Sequence, residues 1–148
     1  MTFDTLSLSK IAALFSSVKS PAEERQQLRL AIAEFELLAA QYTPTGNDVG
    51  ENYREGMKET GQQDCIDESL NTSTYISYML EQGWLKWHKL EERAFRAPWL
   101  FDQHWSAQIS QINTGTRYVV DSWFFDNGQP AVIQTLADWL DKQEPIQP

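Results

Sequence analysis

The hydrophobic pattern of this chain changes period at Gly83, and that change limits what it can fold into. Before Gly83, apolar and small residues recur at helical spacing. Leu28, Ala31, Phe35, Leu38 and Tyr42 form one stripe, and Cys65, Ser69, Ser73, Ile76 and Leu80 form another. After Gly83 the chain alternates. Trp105, Ala107 and Ile109 fall on one side of an extended segment, His104, Ser106 and Gln108 on the other. Residues Arg117 to Phe125 are again rich in β-formers. Helices first and strands later, joined by short turns, predict an α+β fold with helices packed on a mainly antiparallel sheet.

Local signals divide this pattern into elements. A first helix is predicted from about Ser7 to Val18. A second starts with Ser20 as N-cap, Pro21 at the first helical position and Glu23 completing a capping box. Pro44, Gly46, Asn47, Gly50, Asn52 and Gly61 break any regular pattern, so 43–61 reads as a long loop. A third helix is predicted to begin at Cys65, with Asp64 as its cap and Asp67 in its first turn, and to stop at Gly83. Its small residues, Ser69 and Ser73, would let it lie close against a sheet. Trp84–Arg96 reads as one strand or two, His104–Ile112 as a strand, Asn113-Thr114-Gly115 as a turn and Arg117–Phe125 as the returning strand. Asn127-Gly128 is a further turn signal. Ile133, Leu136, Ala137 and Leu140 predict a closing helix over Ala131–Leu140. The expected organisation is one domain over 1–148: N-terminal helices to 42, the loop, a core over 62–142 and a flexible tail at 143–148.

The formal charge of -9 and a pI near 4.6 argue against a phosphate backbone or an anionic membrane surface as partner. No apolar run approaches the roughly 20 residues that cross a bilayer, and the start of the chain lacks a signal-peptide pattern; a cytoplasmic protein is expected. The single cysteine cannot form an internal disulfide. No metal or other cofactor is expected. Two histidines and one cysteine lack ligand spacing, and Asp48, Glu51 and Glu55 lack a calcium-loop pattern. His88 reads as an ordinary strand residue.

Three residues stand out chemically. A cysteine at a helix N-terminus sits where the dipole favours the thiolate, the nucleophilic form. Asp64 and Asp67 oppose this, so a protonated histidine would be needed beside it. His104 opens a strand. Asp121 lies in the apolar segment Tyr118–Phe124, where an ionised carboxylate is costly unless paired. Orienting an imidazole would satisfy it. The hairpin register decides whether they meet. A turn centred between Asn113 and Thr114 puts His104 and Asp121 diagonally on one face; a three-residue loop centred on Thr114 puts them on opposite faces.

Asp64-Cys65-Ile66-Asp67-Glu68-Ser69, His104-Trp105 and Val120-Asp121-Ser122-Trp123 resemble, in order and spacing, the cysteine, histidine and aspartate segments of bacterial transglutaminase-like proteins. The resemblance spans about Thr60 to Gly128. It implies a papain-like fold and acyl transfer from an amide or peptide bond, with Cys65 as nucleophile, His104 as base and acid, and Asp121 as orienter. Hydrolysis is favoured over cross-linking. It also implies that Gln62 or Gln63 supplies an oxyanion donor, although Gln63 stands where many relatives carry glycine. Trp105 and Trp123 flank the pair and are candidates for substrate contact. The implied substrate is a protein, a peptide or a small amide. The competing readings are an inert core thiol, a structural His–Asp pair, and a fold retained for protein binding without catalysis. Oligomeric state is left open.

Overall fold

A computed structural model describes residues 4–42, 58–96, 104–121 and 130–141, with side chains described for all of these except 41, 42 and 58–65. The elements run α1 (Thr5–Ala13), α2 (Pro21–Tyr42), α3 (Lys58–Glu81), β1 (His88–Arg96), β2 (His104–Gln111), β3 (Arg117–Asp121), β4 (Val132–Thr135) and α4 (Leu136–Leu140). The strands form one antiparallel sheet in the order β1-β2-β3-β4. The architecture is α+β.

The helix starts follow from side-chain capping. Asp4 accepts from the Ser7 backbone N–H at 2.8 Å and so opens α1. Ser20 Oγ accepts from the Glu23 N–H at 3.1 Å, while Glu23 reaches back one residue further than expected, to the Lys19 N–H at 2.7 Å. α1 stops at Ala13, short of Val18. Its last turn tightens into bonds from Leu14, Phe15 and Ser16 to the residues three before them.

The third helix departs most from expectation. It begins at Lys58, about two turns before Cys65, and therefore includes Gly61. One interior glycine costs only about 1 kcal/mol against alanine, and Lys58, Glu59, Gln62 and Gln63 are good helix formers. Cys65 is thus inside α3, and Asp64 is not its N-cap. The far end behaves as predicted. Trp84 N–H bonds to Met79 O at 3.1 Å and Gly83 N–H to Leu80 O at 3.0 Å, with Gly83 at φ 78°. This closure needs a left-handed residue, which glycine supplies without strain.

Residues 88–96 form one strand, with a bulge between Glu91 and Ala94. The segment 132–135 is a correction: it is strand β4, paired with β3, and only Leu136–Leu140 is helical. Val132, Ile133 and Thr135 are β-branched and favour the extended form, and Thr135 then caps α4 by accepting from the Asp138 N–H.

The two sheet faces have separate covers. Ala107, Ile109 and Val120 pack with Leu28, Ile32 and Phe35 of α2 and Ile76 and Met79 of α3. Ala94 and Val119 pack with Trp139 of α4 on the opposite face. Burying each of the larger side chains contributes about 1.5–3 kcal/mol, so the α2–α3 face holds most of the fold. Among the described residues no helix is long and apolar enough to cross a membrane.

Candidate functional site

The β2–β3 hairpin decides the fate of the His–Asp pair. Ala107 faces Val120 and Gln108 faces Val119, while Gln111 N–H bonds to Thr116 O at 2.8 Å. This register centres the turn between Asn113 and Thr114. Gly115, at φ 75°, makes the return possible. Ser106 lies opposite Asp121 in this register, so His104 and Asp121 share a face across a diagonal.

The two side chains meet. His104 Nε2 and Asp121 Oδ2 are 2.7 Å apart, and both residues are buried. A carboxylate can only accept, so Nε2 donates to it. The Trp139 indole N–H also approaches Asp121 Oδ2, at 3.4 Å. Its ring lies 5.8 Å from the imidazole, and the Arg96 guanidinium sits 4.5 Å over the Trp139 ring while donating to Trp139 O at 2.6 Å. Trp139 therefore fixes the carboxylate that fixes the histidine. Nothing in the sequence pattern singled it out, because the segment that positions it was read as helix from Ala131.

The expected site residues do not all gather on one surface. Trp105 is next to His104 along β2 and so projects from the opposite face. It stacks with Phe95 at 4.7 Å beneath the Arg93 guanidinium, also at 4.7 Å, and Arg93 donates to Ser69 Oγ of α3. α3 covers this Trp105 side of the sheet; His104 and Asp121 lie on the α4 side. Along the sheet, however, the placement is favourable. α3 turns back at Gly83 into β1, which is antiparallel to β2, so α3 runs in the direction of β2. The contact of Ser69 with Arg93 puts the Cys65 turn of α3 at the end of the sheet where His104 begins β2. The Cys65 and Gln63 side chains, and Trp123 altogether, lie outside the described residues. So do Asp48, Glu51 and Glu55; among the described residues no group of three or more His, Cys, Asp or Glu could hold a metal ion.

A second buried histidine is organised just as tightly. His88 is no ordinary strand residue. Its Nδ1 lies 2.8 Å from Glu24 Oε1, and Glu24 also accepts from the backbone N–H groups of Lys86 at 2.8 Å and Trp87 at 3.0 Å. Arg25 Nη1 donates to His88 Nε2 at 3.1 Å and to Gln111 Oε1 at 2.7 Å. Arg25 has only donors to offer, so Nε2 is an acceptor and the imidazole proton sits on Nδ1. This network ties α2 to the start of β1 and the end of β2. Its sequence signal was legible: Glu24 stands one turn before Leu28 on the buried stripe of α2, and a carboxylate in that place requires a partner.

No family model matches the chain, and neither a curated protein nor a solved structure does.

Proposed function

We propose that this chain is a transglutaminase-like, papain-like cysteine acyl-transfer enzyme that hydrolyses an amide or peptide bond. The observation that carries the reading is the 2.7 Å bond from His104 Nε2 to Asp121. It holds the imidazole against a buried carboxylate where an imidazolium would form. Cys65 Sγ gives its proton to the His104 ring and attacks the carbonyl carbon. The tetrahedral intermediate collapses as His104 returns the proton to the leaving amine. Water, deprotonated by the same ring, then releases the acid and restores the thiol. α3 lies on the sheet face opposite His104, so this reading requires the Cys65 thiol to reach the imidazole past the end of β2 at which His104 lies. Cys65 lies beyond the first turn of α3, where the helix dipole has faded, so its thiolate depends on His104 for stabilisation.

That dependence gives the test. Native protein should react with iodoacetamide at pH 6 much faster than free cysteine, whose pKa is about 8.5. His104→Gln and Asp121→Asn should remove or weaken the advantage, with folding checked by circular dichroism. A native Cys65 inert at pH 6 and pH 8 alike would defeat the enzyme.

A second reading has specific support. The mid-helix cysteine and the opposite sheet faces also suit a fold of this class kept for protein binding, with His104–Asp121–Trp139 serving only to hold α4 on the sheet. In that case His104→Gln would lower stability and leave thiol reactivity unchanged.

A further inference from the structure

A cleft of about 210 Å³ lies between the first turns of α2 and the β3–β4 edge, lined by Ala22, Arg25, Gln26 and Arg29 on one side and Tyr118, Val132 and Ile133 on the other. Tyr118 and Ile133 project from the sheet face that α2 and α3 cover, because Ile133 pairs with Val120, two residues from Tyr118. The cleft is therefore separate from the His104–Asp121 pair on the opposite face.

Its two charged groups, Arg25 and Arg29, are both cationic. The chain has 21 acidic residues against 12 basic ones, yet neither Arg25 nor Arg29 forms an ion pair with a carboxylate among the described residues. Both guanidinium groups are nonetheless held in place. Arg25 spends Nη1 on His88 and Gln111 and lies 4.2 Å over the Tyr118 ring. Arg29 donates from Nε to Ala131 O at 2.8 Å and from Nη1 to Gln26 Oε1 at 2.7 Å. Every one of these partners is neutral, so two full positive charges remain uncompensated by them. Each guanidinium has five N–H donors, and the bonds named here leave the Nη2 edge of both for another acceptor. Holding the groups beforehand removes much of the ordering cost of binding.

We propose that this cleft binds a small organic carboxylate, its oxygens on Arg25 and Arg29 and its apolar body against Tyr118 and Ile133. The guanidinium edges match the planar carboxylate. The ring and aliphatic wall suit a hydrocarbon body and give nothing to the fully hydrated inorganic phosphate ion. The site works independently of the cysteine.

The test uses the full chain and three probes: benzoate, its neutral analogue benzamide, and inorganic phosphate, followed by calorimetry or by amide chemical shifts. Benzoate should bind saturably with a Kd of about 1 mM or below, and Arg29→Gln should weaken it at least about tenfold. Ile133→Trp, which fills the cleft, should abolish binding while Arg25 and Arg29 stay in place. If that variant does not fold, Arg29→Gln and Arg29→Lys, which differ in charge, carry the comparison. Absence of saturable benzoate binding, equal binding of benzamide, tighter binding of phosphate, or unchanged affinity in a folded Arg29→Gln protein would each overturn the assignment.

Discussion

Removing the Glu24 carboxylate should be among the most damaging single changes this fold can suffer. Glu24 is 1% exposed and accepts three hydrogen bonds, from two backbone N–H groups and the His88 ring. In Glu24→Ala all three donors lose their acceptor at once, at a position that is 1% exposed. Leaving a buried donor unsatisfied costs about 1–3 kcal/mol, and here three donors share one acceptor group. We therefore expect a loss of about 4 kcal/mol, a large share of the roughly 5–15 kcal/mol that holds a typical domain. With a urea m-value of about 2 kcal/mol/M, the midpoint should fall by about 2 M. Glu24→Gln keeps one acceptor oxygen but turns an N–H₂ group toward the remaining donors, so it should cost about half as much. The assay is equilibrium urea unfolding followed by tryptophan fluorescence. A loss below about 1 kcal/mol for Glu24→Ala would refute the reasoning, because the donors would then have found other partners.

Two further outcomes follow from particular positions. Gly83→Ala should cost about 1–2 kcal/mol in the same assay, since an added Cβ meets nothing within 4 Å but the left-handed backbone at φ 78° disfavours it. Burial, aided by the Glu36 and Glu68 carboxylates, pushes the Tyr75 hydroxyl above the usual phenol range. A raised folded pKa means that its contribution is fully present below the unfolded value of about 10 and is lost as pH rises above it. The urea midpoint should therefore drop between pH 8 and pH 10.5 by more in the native chain than in Tyr75→Phe, and equal drops would exclude Tyr75 as the cause.

What could be read from the sequence was whatever depends on short-range geometry. Ser20, Pro21 and Glu23 marked the start of α2, Gly83 marked the end of α3, and the residues 113–115 allowed the hairpin register that brings His104 to Asp121. These signals act within a turn or two of chain, where few alternatives compete. Gly61 and Asp64 look like a helix boundary, but the helix formers around them carry α3 back to Lys58. β4 was misread because Ile133, Leu136 and Ala137 also fit helical spacing. The pairing of Val132–Thr135 with β3 is a long-range choice that periodicity alone cannot make. The same limit hid Trp139 from the site and Glu24 from His88, since both contacts join segments far apart in the chain.

Whether Cys65 and His104 share one proton is tested most directly by titrating the His104 ring by NMR in the native chain and in Cys65→Ser. Groups that interact strongly titrate as a pair. If the thiolate and imidazolium coexist, replacing the thiol should lower the pH at which His104 loses its proton by at least about one unit, while its bond to Asp121 persists. Identical titration of His104 in the two proteins would contradict the claim and leave the pair a structural clasp between β2, β3 and α4.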